Sequence, residues 1–270
     1  MGQDEFSAFE RQGWEAAAQP YHSSFGQLTT QSNEALLDAL EVRSGIQLLD
    51  VASGPGYLAA AAAHRGANVV GVDFADAMVE QARHFFPELT FRSGSADDLP
   101  FRDMSFDAVG ISFGMLHFAH PEVALAEAFR VLRPGGRVAF TVWAPPGRAI
   151  GFGMVLKAIE THGRMDVALP PGPPIFRFSD ARESERVLLN AGFVEPRIEE
   201  VSQTLRIRTP ETPLDLLMRG AVRVAAIMAA QSSEARASIQ KAVSDATAAY
   251  TKDGDVQIPM PCVLVSARKP

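Results

Sequence analysis

The sequence predicts an α/β fold, a parallel sheet with helices on both faces, and three observations carry that reading. Between Ile46 and Trp143, short runs rich in Val, Ile and Leu alternate with longer segments of helical spacing, the signature of repeated βαβ units. Several runs are apolar on both faces, as strands buried within a parallel sheet are. The hydrophobic share of 47% against 21% charged residues is that of a chain folding around a core. At 270 residues, close to the size where a single core stops growing, one elaborated domain is expected.

The strands are expected at 46–51 (IQLLDV), 68–73 (NVVGVD), 89–93 (LTFRS), 106–112 (FDAVGIS) and 137–143 (RVAFTVW). Pro121 suits the first turn of the helix HPEVALAEAFRVL, which Arg133-Pro134-Gly135-Gly136 ends. The helix in SDARESERVLLNAG starts at a Ser/Asp cap and stops at Gly192. Beyond Trp143 the alternation fails. Pro145-Pro146-Gly147 and the Pro-rich 169–174 flank an apolar helical segment, 150–159, read as one insertion. A second helical insertion, with an apolar segment over 214–230, separates the expected strand RIEEVSQTLRI from the last strand, PCVLVSAR. An N-terminal helical arm over 7–30 completes the set, and all three additions can lie over the sheet end where α/β folds bind ligands.

The formal charge is 25 − 32 = −7 with no Lys/Arg cluster, so the footprint of a nucleic-acid or anionic-membrane binder is missing. A small molecule is the expected partner. No apolar stretch, Leu58 to Ala63 among them, comes near the ~20 residues a membrane span needs. The lone Cys262 cannot form an internal disulfide, and MGQDEFSAFERQ has no apolar signal region, so a cytoplasmic location is expected. A monomer or a homodimer is the expected assembly.

The chemistry is concentrated in LLDVASGPGYLA, residues 48–59: a strand, an acid near its end, then Gly54-Pro55-Gly56 leading into an Ala-rich helix. Glycines let the chain turn sharply and let a ligand lie against bare backbone near a helix N-terminus. The same pattern fits a simple tight turn or a dinucleotide loop. The next strand, in VVGVDFADAMVEQAR, ends at Asp73 followed by Phe74. A carboxylate there can accept both hydroxyls of a ribose while Phe74 lies on the attached adenine. Asp73 could instead cap the following helix, but Asp76 is better placed to do so.

At these residues the chain resembles the class I S-adenosylmethionine-dependent methyltransferases, most closely the small-molecule branch that includes the ubiquinone and menaquinone C-methyltransferases. The matching pieces are LLDVASGPGYLA, VVGVDFADAMVEQAR, FRSGSADDLPFRDMSFDAV and EAFRVLRPGGRVAFTVW, and the resemblance is specific over 35–143. It implies a Rossmann-like seven-stranded sheet, mostly parallel with the last strand antiparallel, helices on both faces and helical lid insertions. The whole, 1–270, is then a single methyltransferase domain. Its parts would be an arm (1–34), a cofactor-binding core (35–143) and lid or substrate insertions (144–178 and 209–256). Carried over by position, Asp50, Ala52, Gly54 and Gly56 would line the methionine and ribose portion of S-adenosylmethionine. Asp73 would hold the ribose hydroxyls, Phe74 and Met78 the adenine, Ser95 and Ala96 the adenine edge, and Ser112 with Phe113 the methionyl side. The family usually has Asp or Asn where this chain has Ser95, so Ser95 or nearby Asp97 is expected to bond the adenine amino group. A pyrophosphate would meet the charge of Asp50, which disfavours a nicotinamide dinucleotide.

The implied reaction is methyl transfer to a small organic acceptor at oxygen or carbon, secondary-metabolite or quinone-like. The alternatives are an NAD(P)-dependent oxidoreductase and a cofactor-binding protein without transfer activity. Should the acceptor need a base, His117 is best placed, although a His there also serves as a loop organiser. Tyr21 and His22 on the arm could close over the cofactor or contact the acceptor, or merely pack; Trp14 and Phe25 are read as anchors. His117 and His120 are three apart, but no third ligand is nearby and no metal is expected. Phe152, Met154, Phe176, Phe178, Met218 and Met228 suit either an apolar roof or ordinary core. Arg206, Arg208, Arg219 and Arg223 could meet an acidic group on the acceptor or form surface pairs.

Overall fold

A seven-stranded sheet forms the centre of the structure, a computed structural model that describes residues 2–208 and 211–270. Its strands are β1 (Gln47–Val51), β2 (Asn68–Asp73), β3 (Thr90–Ser93), β4 (Phe106–Ser112), β5 (Leu132–Trp143), β6 (Val194–Val201) and β10 (Cys262–Arg268). The spatial order is β3-β2-β1-β4-β5-β10-β6, and β10 runs antiparallel to both of its neighbours. The chain thus builds outward from β1 to one edge, then returns to place β4 on the other side of β1. That reversal opens a crevice at the C-terminal ends of β1 and β4, the place where open α/β sheets bind ligands. Burial follows the layering. The inner strands β1, β4 and β10 are buried almost without interruption because helices cover both faces, whereas edge strand β6 alternates.

The helices are α1 (Gly2–Ser24), α2 (Gly26–Thr29), α3 (Asn33–Ala39), α4 (Tyr57–His64), α5 (Asp76–Phe85), α6 (Pro121–Val131), α7 (Ile150–His162), α8 (Ala181–Asn190), α9 (Pro213–Gly220), α10 (Val222–Ala229) and α11 (Ser233–Thr247). Helix α8 begins where expected, with Asp180 accepting the N–H groups of Arg182 and Glu183 at 2.8 and 3.2 Å, and the left-handed Gly192 follows its end. No described helix is long and apolar enough to cross a membrane.

Three expectations need correction. The single strand expected over RIEEVSQTLRI is two: β6 stays in the main sheet, and β7 (Thr204–Arg208) joins a small antiparallel sheet in the order β7-β9-β8. The long pair formed with the returning chain bends at Ser202-Gln203 and Met260-Pro261, where Met260 N–H donates to the Gln203 carbonyl and the Gln203 amide donates to the Leu28 carbonyl. The second insertion is consequently not all helical, since β8 (Thr251–Lys252) and β9 (Asp255–Pro259) supply the rest of that sheet. The apolar segment 214–230 is likewise broken, into α9 and α10, at Ala221, whose backbone is extended (φ −132°, ψ 92°). Phe25 packs there so closely that a Cβ on Gly220 would lie 2.5 Å from its ring.

Candidate active site

Asp73 holds the two leading strand tips together. Its Oδ2 accepts from Gly54 N–H at 2.8 Å and its Oδ1 from Ala75 N–H at 2.9 Å, which fixes the loop after β1 against the loop after β2. Burial pushes its carboxyl up to about 6, against the pull of these two N–H groups. Each oxygen keeps a lone pair, so further donors can be accepted. Gly54 and Gly56 both have positive φ (49° and 86°), but they do different work. Gly54 faces the crevice. Gly56 starts α4 turned away from it, and a Cβ there would lie 2.6 Å from the Phe91 ring.

Asp50 is completely buried behind this loop. Its Oδ2 accepts from Ala59 N–H at 3.0 Å near the start of α4, while Oδ1 is buried without a hydrogen-bond partner. Burial pushes its carboxyl up to about 8, with the nearby Asp73 adding to the shift. The structure therefore sets both Asp50 and Gly56 behind the crevice wall instead of in it. It also weakens the expectation that Asp50 repels a pyrophosphate, since its carboxyl is mostly neutral near pH 7.

The crevice is a cavity of about 810 Å³, counting its open mouth. Ala52, Gly54, Asp73, Phe74, Met78, Ser112 and Phe113 line it, as do Tyr21 and His117. Ala52 and Phe113 both hold φ at 55°, and the loops that carry them come close at the switch point: a Cβ on Gly114 would be 2.8 Å from that of Ala52. A side pocket of about 370 Å³ opens beyond Phe74 and carries Ser95, Ala96 and Asp97 on its wall. On the opposite side a third chamber, of about 350 Å³, is bounded by Phe25, Leu116, Trp143, Phe152, Ile175 and the segment 220–224. His117 is the residue common to all three walls.

The arm supplies more of the wall than the sequence indicated. Trp14 and Phe25, read as anchors, line the cavity, and so do Thr29, Thr30, Asn33, Tyr57 and Trp143. Tyr21 faces in, its phenol pushed up to about 12 by burial. His22 does not: it is exposed, packs on Phe85 and hydrogen-bonds the Tyr57 hydroxyl through Nδ1. Asp76 does not cap α5. The cap comes from the arm, where Glu15 accepts the N–H groups of Asp76 and Ala77 at 2.6 and 2.9 Å.

Of the two readings of the apolar inserts, ordinary core fits most of their residues. Phe178 and Met228 are core, Met154 and Phe176 pack half-buried against it, Met218 is exposed, and only Phe152 reaches a chamber. Arg206 and Arg208 lie exposed on β7, and Arg219 pairs with Glu211 at 2.8 Å. Arg223 is part-buried and bonds Glu10, a completely buried carboxylate on α1 that the sequence reading missed. The signal was a lone acid within the stripe Phe6, Glu10, Trp14, four residues apart on one helix face. His117 and His120 diverge onto separate carboxylates, Glu10 and Asp97, at 2.9 and 2.8 Å. Among the described residues no group of three or more His, Cys, Asp or Glu could hold a metal.

These features suit an adenosine bearing an amino-acid tail. A strand-tip carboxylate with free lone pairs stands beside an aromatic ring, a side pocket offers hydroxyl and carboxyl groups, and the orphaned Asp50 Oδ1 is a buried polar atom awaiting a partner. Residues 49–140 match the family described as Methyltransferase domain. The chain is 43% identical over 123 residues to a demethylmenaquinone methyltransferase of Beutenbergia cavernae, a match covering 44% of this chain and 51% of that protein. It thus spans about half the length of the curated relative it matches. The solved YcgJ protein from Bacillus subtilis shares the fold with a TM-score of 0.55 at 21% identity, over 88% of this chain and 97% of that one. Phosphoethanolamine N-methyltransferase 2 of Haemonchus contortus, solved with phosphomonomethylethanolamine and S-adenosylhomocysteine, gives 0.54 at 20%, over 88% and 52%. At such identities the likeness is one of fold.

Proposed function

We propose that this chain, whose residues 49–140 match a methyltransferase domain, transfers a methyl group from S-adenosylmethionine to a small apolar organic acceptor at oxygen or carbon. The observation that carries the reading is Asp73, ionisable and with spare lone pairs, standing beside Phe74 in a cavity at the topological switch point. In this reading Asp73 accepts the ribose hydroxyls, Phe74 and Met78 cover the adenine, and Ser95, Ala96 and Asp97 meet its edge. Ala52, Gly54, Ser112 and Phe113 border the methionyl tail, and Asp50 Oδ1 bears on that tail from behind the loop. When bound, the cofactor supplies a methyl carbon on a sulfonium whose leaving group is a neutral thioether. The protein's share is largely positioning, which can contribute up to roughly 7–11 kcal/mol when the acceptor is held in line and water is excluded.

The third chamber is the acceptor site. Its wall of Phe25, Leu116, Trp143, Phe152 and Ile175 favours an apolar, planar molecule, and the demethylmenaquinone methyltransferase among the relatives favours a quinol-like one. The reduced, buried Cys262 fits a cytoplasmic setting. Calorimetric titration with S-adenosylhomocysteine and with NAD tests the reading: the first is expected to bind and the second not. Binding of NAD alone would sink it, and cofactor binding with no methyl passed to any acceptor would favour a protein without transfer activity.

A further inference from the structure

The Glu10 carboxylate is the least expected charge in the molecule, since it is completely buried and belongs to the arm. Burial alone would push it up, yet His117 and Arg223 hold it below the ordinary carboxylate range, so it is ionised. An ionised carboxylate only accepts hydrogen bonds. Its Oε2 lies 2.9 Å from His117 Nδ1 and its Oε1 2.8 Å from Arg223 Nε, so His117 donates through Nδ1. In its neutral form the ring then carries its lone pair on Nε2, which has no hydrogen bond among the described residues. The Trp14 ring meets the imidazole edge-on at 4.8 Å and limits its rotation. Arg223 also donates to the carbonyls of Pro173 and Leu116, so the same contacts fasten the arm, the first insertion and the loop after β4. The charged groups facing His117 are therefore Glu10 from α1, Arg223 from α10 behind it, and Asp73 at the tip of β2.

Resting on the function proposed above, we infer that Glu10 is a positioning residue that presents His117 Nε2 to the chamber junction as the base for a hydroxyl-bearing aromatic acceptor. In the step assigned to these residues the acceptor O–H bond breaks, the proton bonds to His117 Nε2, and the electron pair stays on the acceptor oxygen or its conjugated ring. The imidazolium formed is paired with Glu10, and its proton passes to water after release. Because Glu10 comes from the arm, the base is aligned only while the arm is docked, when the cavity is covered.

The test separates a base from a structural strut. With S-adenosylmethionine and 2-naphthol as acceptor probe, Glu10→Gln and His117→Gln are expected to lower kcat by ~10²-fold or more, the range for loss of general-base catalysis. With 2-naphthalenethiol, already ionised in mildly alkaline buffer, both variants are expected to stay within about threefold of wild type, since a thiolate needs no base. Nitrogen-15 spectra of the wild-type protein near pH ~8 are expected to show the His117 proton on Nδ1, and a mixture of tautomers in Glu10→Gln. Equal losses with both probes, or a wild-type proton on Nε2, would overturn the assignment. Binding of S-adenosylhomocysteine with neither probe methylated would overturn the acceptor class. No binding of S-adenosylhomocysteine by the wild-type protein would overturn the function itself, and this inference with it.

Discussion

The two halves of the cavity wall are held by different physics. The floor, made by the tips of β1, β2 and β4, is built from backbone geometry: positive φ at Ala52, Gly54 and Phe113, and one carboxylate, Asp73, tying neighbouring loops 19 residues apart. The cover, made by the N-terminal arm with α7, α9 and α10, is built from side chains that meet across the whole chain: Glu10 with Arg223 at a separation of 213 residues, and Glu15 with the start of α5 at 61. A floor of that kind is rigid and set by local sequence. A cover of that kind depends on segments remote in sequence meeting, through those polar pairs and through the arm's buried Phe6, Ala18 and Phe25.

Trp143 is where the distinction can be broken. It is almost fully buried at the tip of β5, with its ring 4.2 Å from Phe113 on the floor and 5.7 and 5.3 Å from Phe25 and Phe152 in the cover. Trp143→Ala is expected to cost ~3–5 kcal/mol, as large-to-small changes in cores do, and to lower Tm by roughly 10 °C. Scanning calorimetry is the measurement. A single transition would mean that floor and cover unfold together; two would mean that the cover melts off a surviving floor.

The difference also explains what the sequence could reveal. The glycine loop, the acid at the end of the second strand and the apolar strands are short-range patterns, so the sheet and the floor residues Gly54, Asp73, Phe74 and Phe113 were legible without coordinates. What the sequence did not show at Gly56 is that its glycine admits the close approach of Phe91, a contact with no local mark. Glu10, Arg223 and Asn33 acquire their meaning only when remote segments meet. The choice between roof and core stayed open for a related reason: helical spacing of apolar residues says that a face is buried, not against what. The split of 214–230 followed from Phe25, nearly 200 residues earlier, filling the space beside Gly220.

Asp73 sharpens the comparison from the floor side. Asp73→Asn is expected to weaken S-adenosylhomocysteine binding by ~1–3 kcal/mol, through the loss of charge-assisted bonds and the misfit of an amide NH2 against Gly54 or Ala75 N–H. Because the wild-type carboxyl titrates at about 6 and the ionised form is the better acceptor, wild-type affinity should fall as pH drops through 6, and the variant should lose that dependence. Isothermal titration across the range checks both. A pH-independent wild-type affinity would remove Asp73 from the binding surface and leave it a loop tie only.

Asp50 offers the smallest effect and a separate test of the floor. Its folded carboxyl is raised to about 8, above the unfolded value of about 3.9, so the folded state holds a proton that the unfolded chain has released. The stability this contributes is complete below about pH 4 and is lost as pH rises through 8, which between pH 7 and 9 amounts to about 1 kcal/mol. Asp50→Asn keeps an oxygen for Ala59 N–H and adds no charge, so its Tm should stay level over the interval where the wild-type Tm declines. A bound ammonium near Oδ1 would favour the ionised form, so saturating S-adenosylhomocysteine should shrink the wild-type slope. A slope that the ligand leaves untouched would show that the orphaned oxygen never meets the amino-acid tail, and that the floor is sealed from its ligand at Asp50.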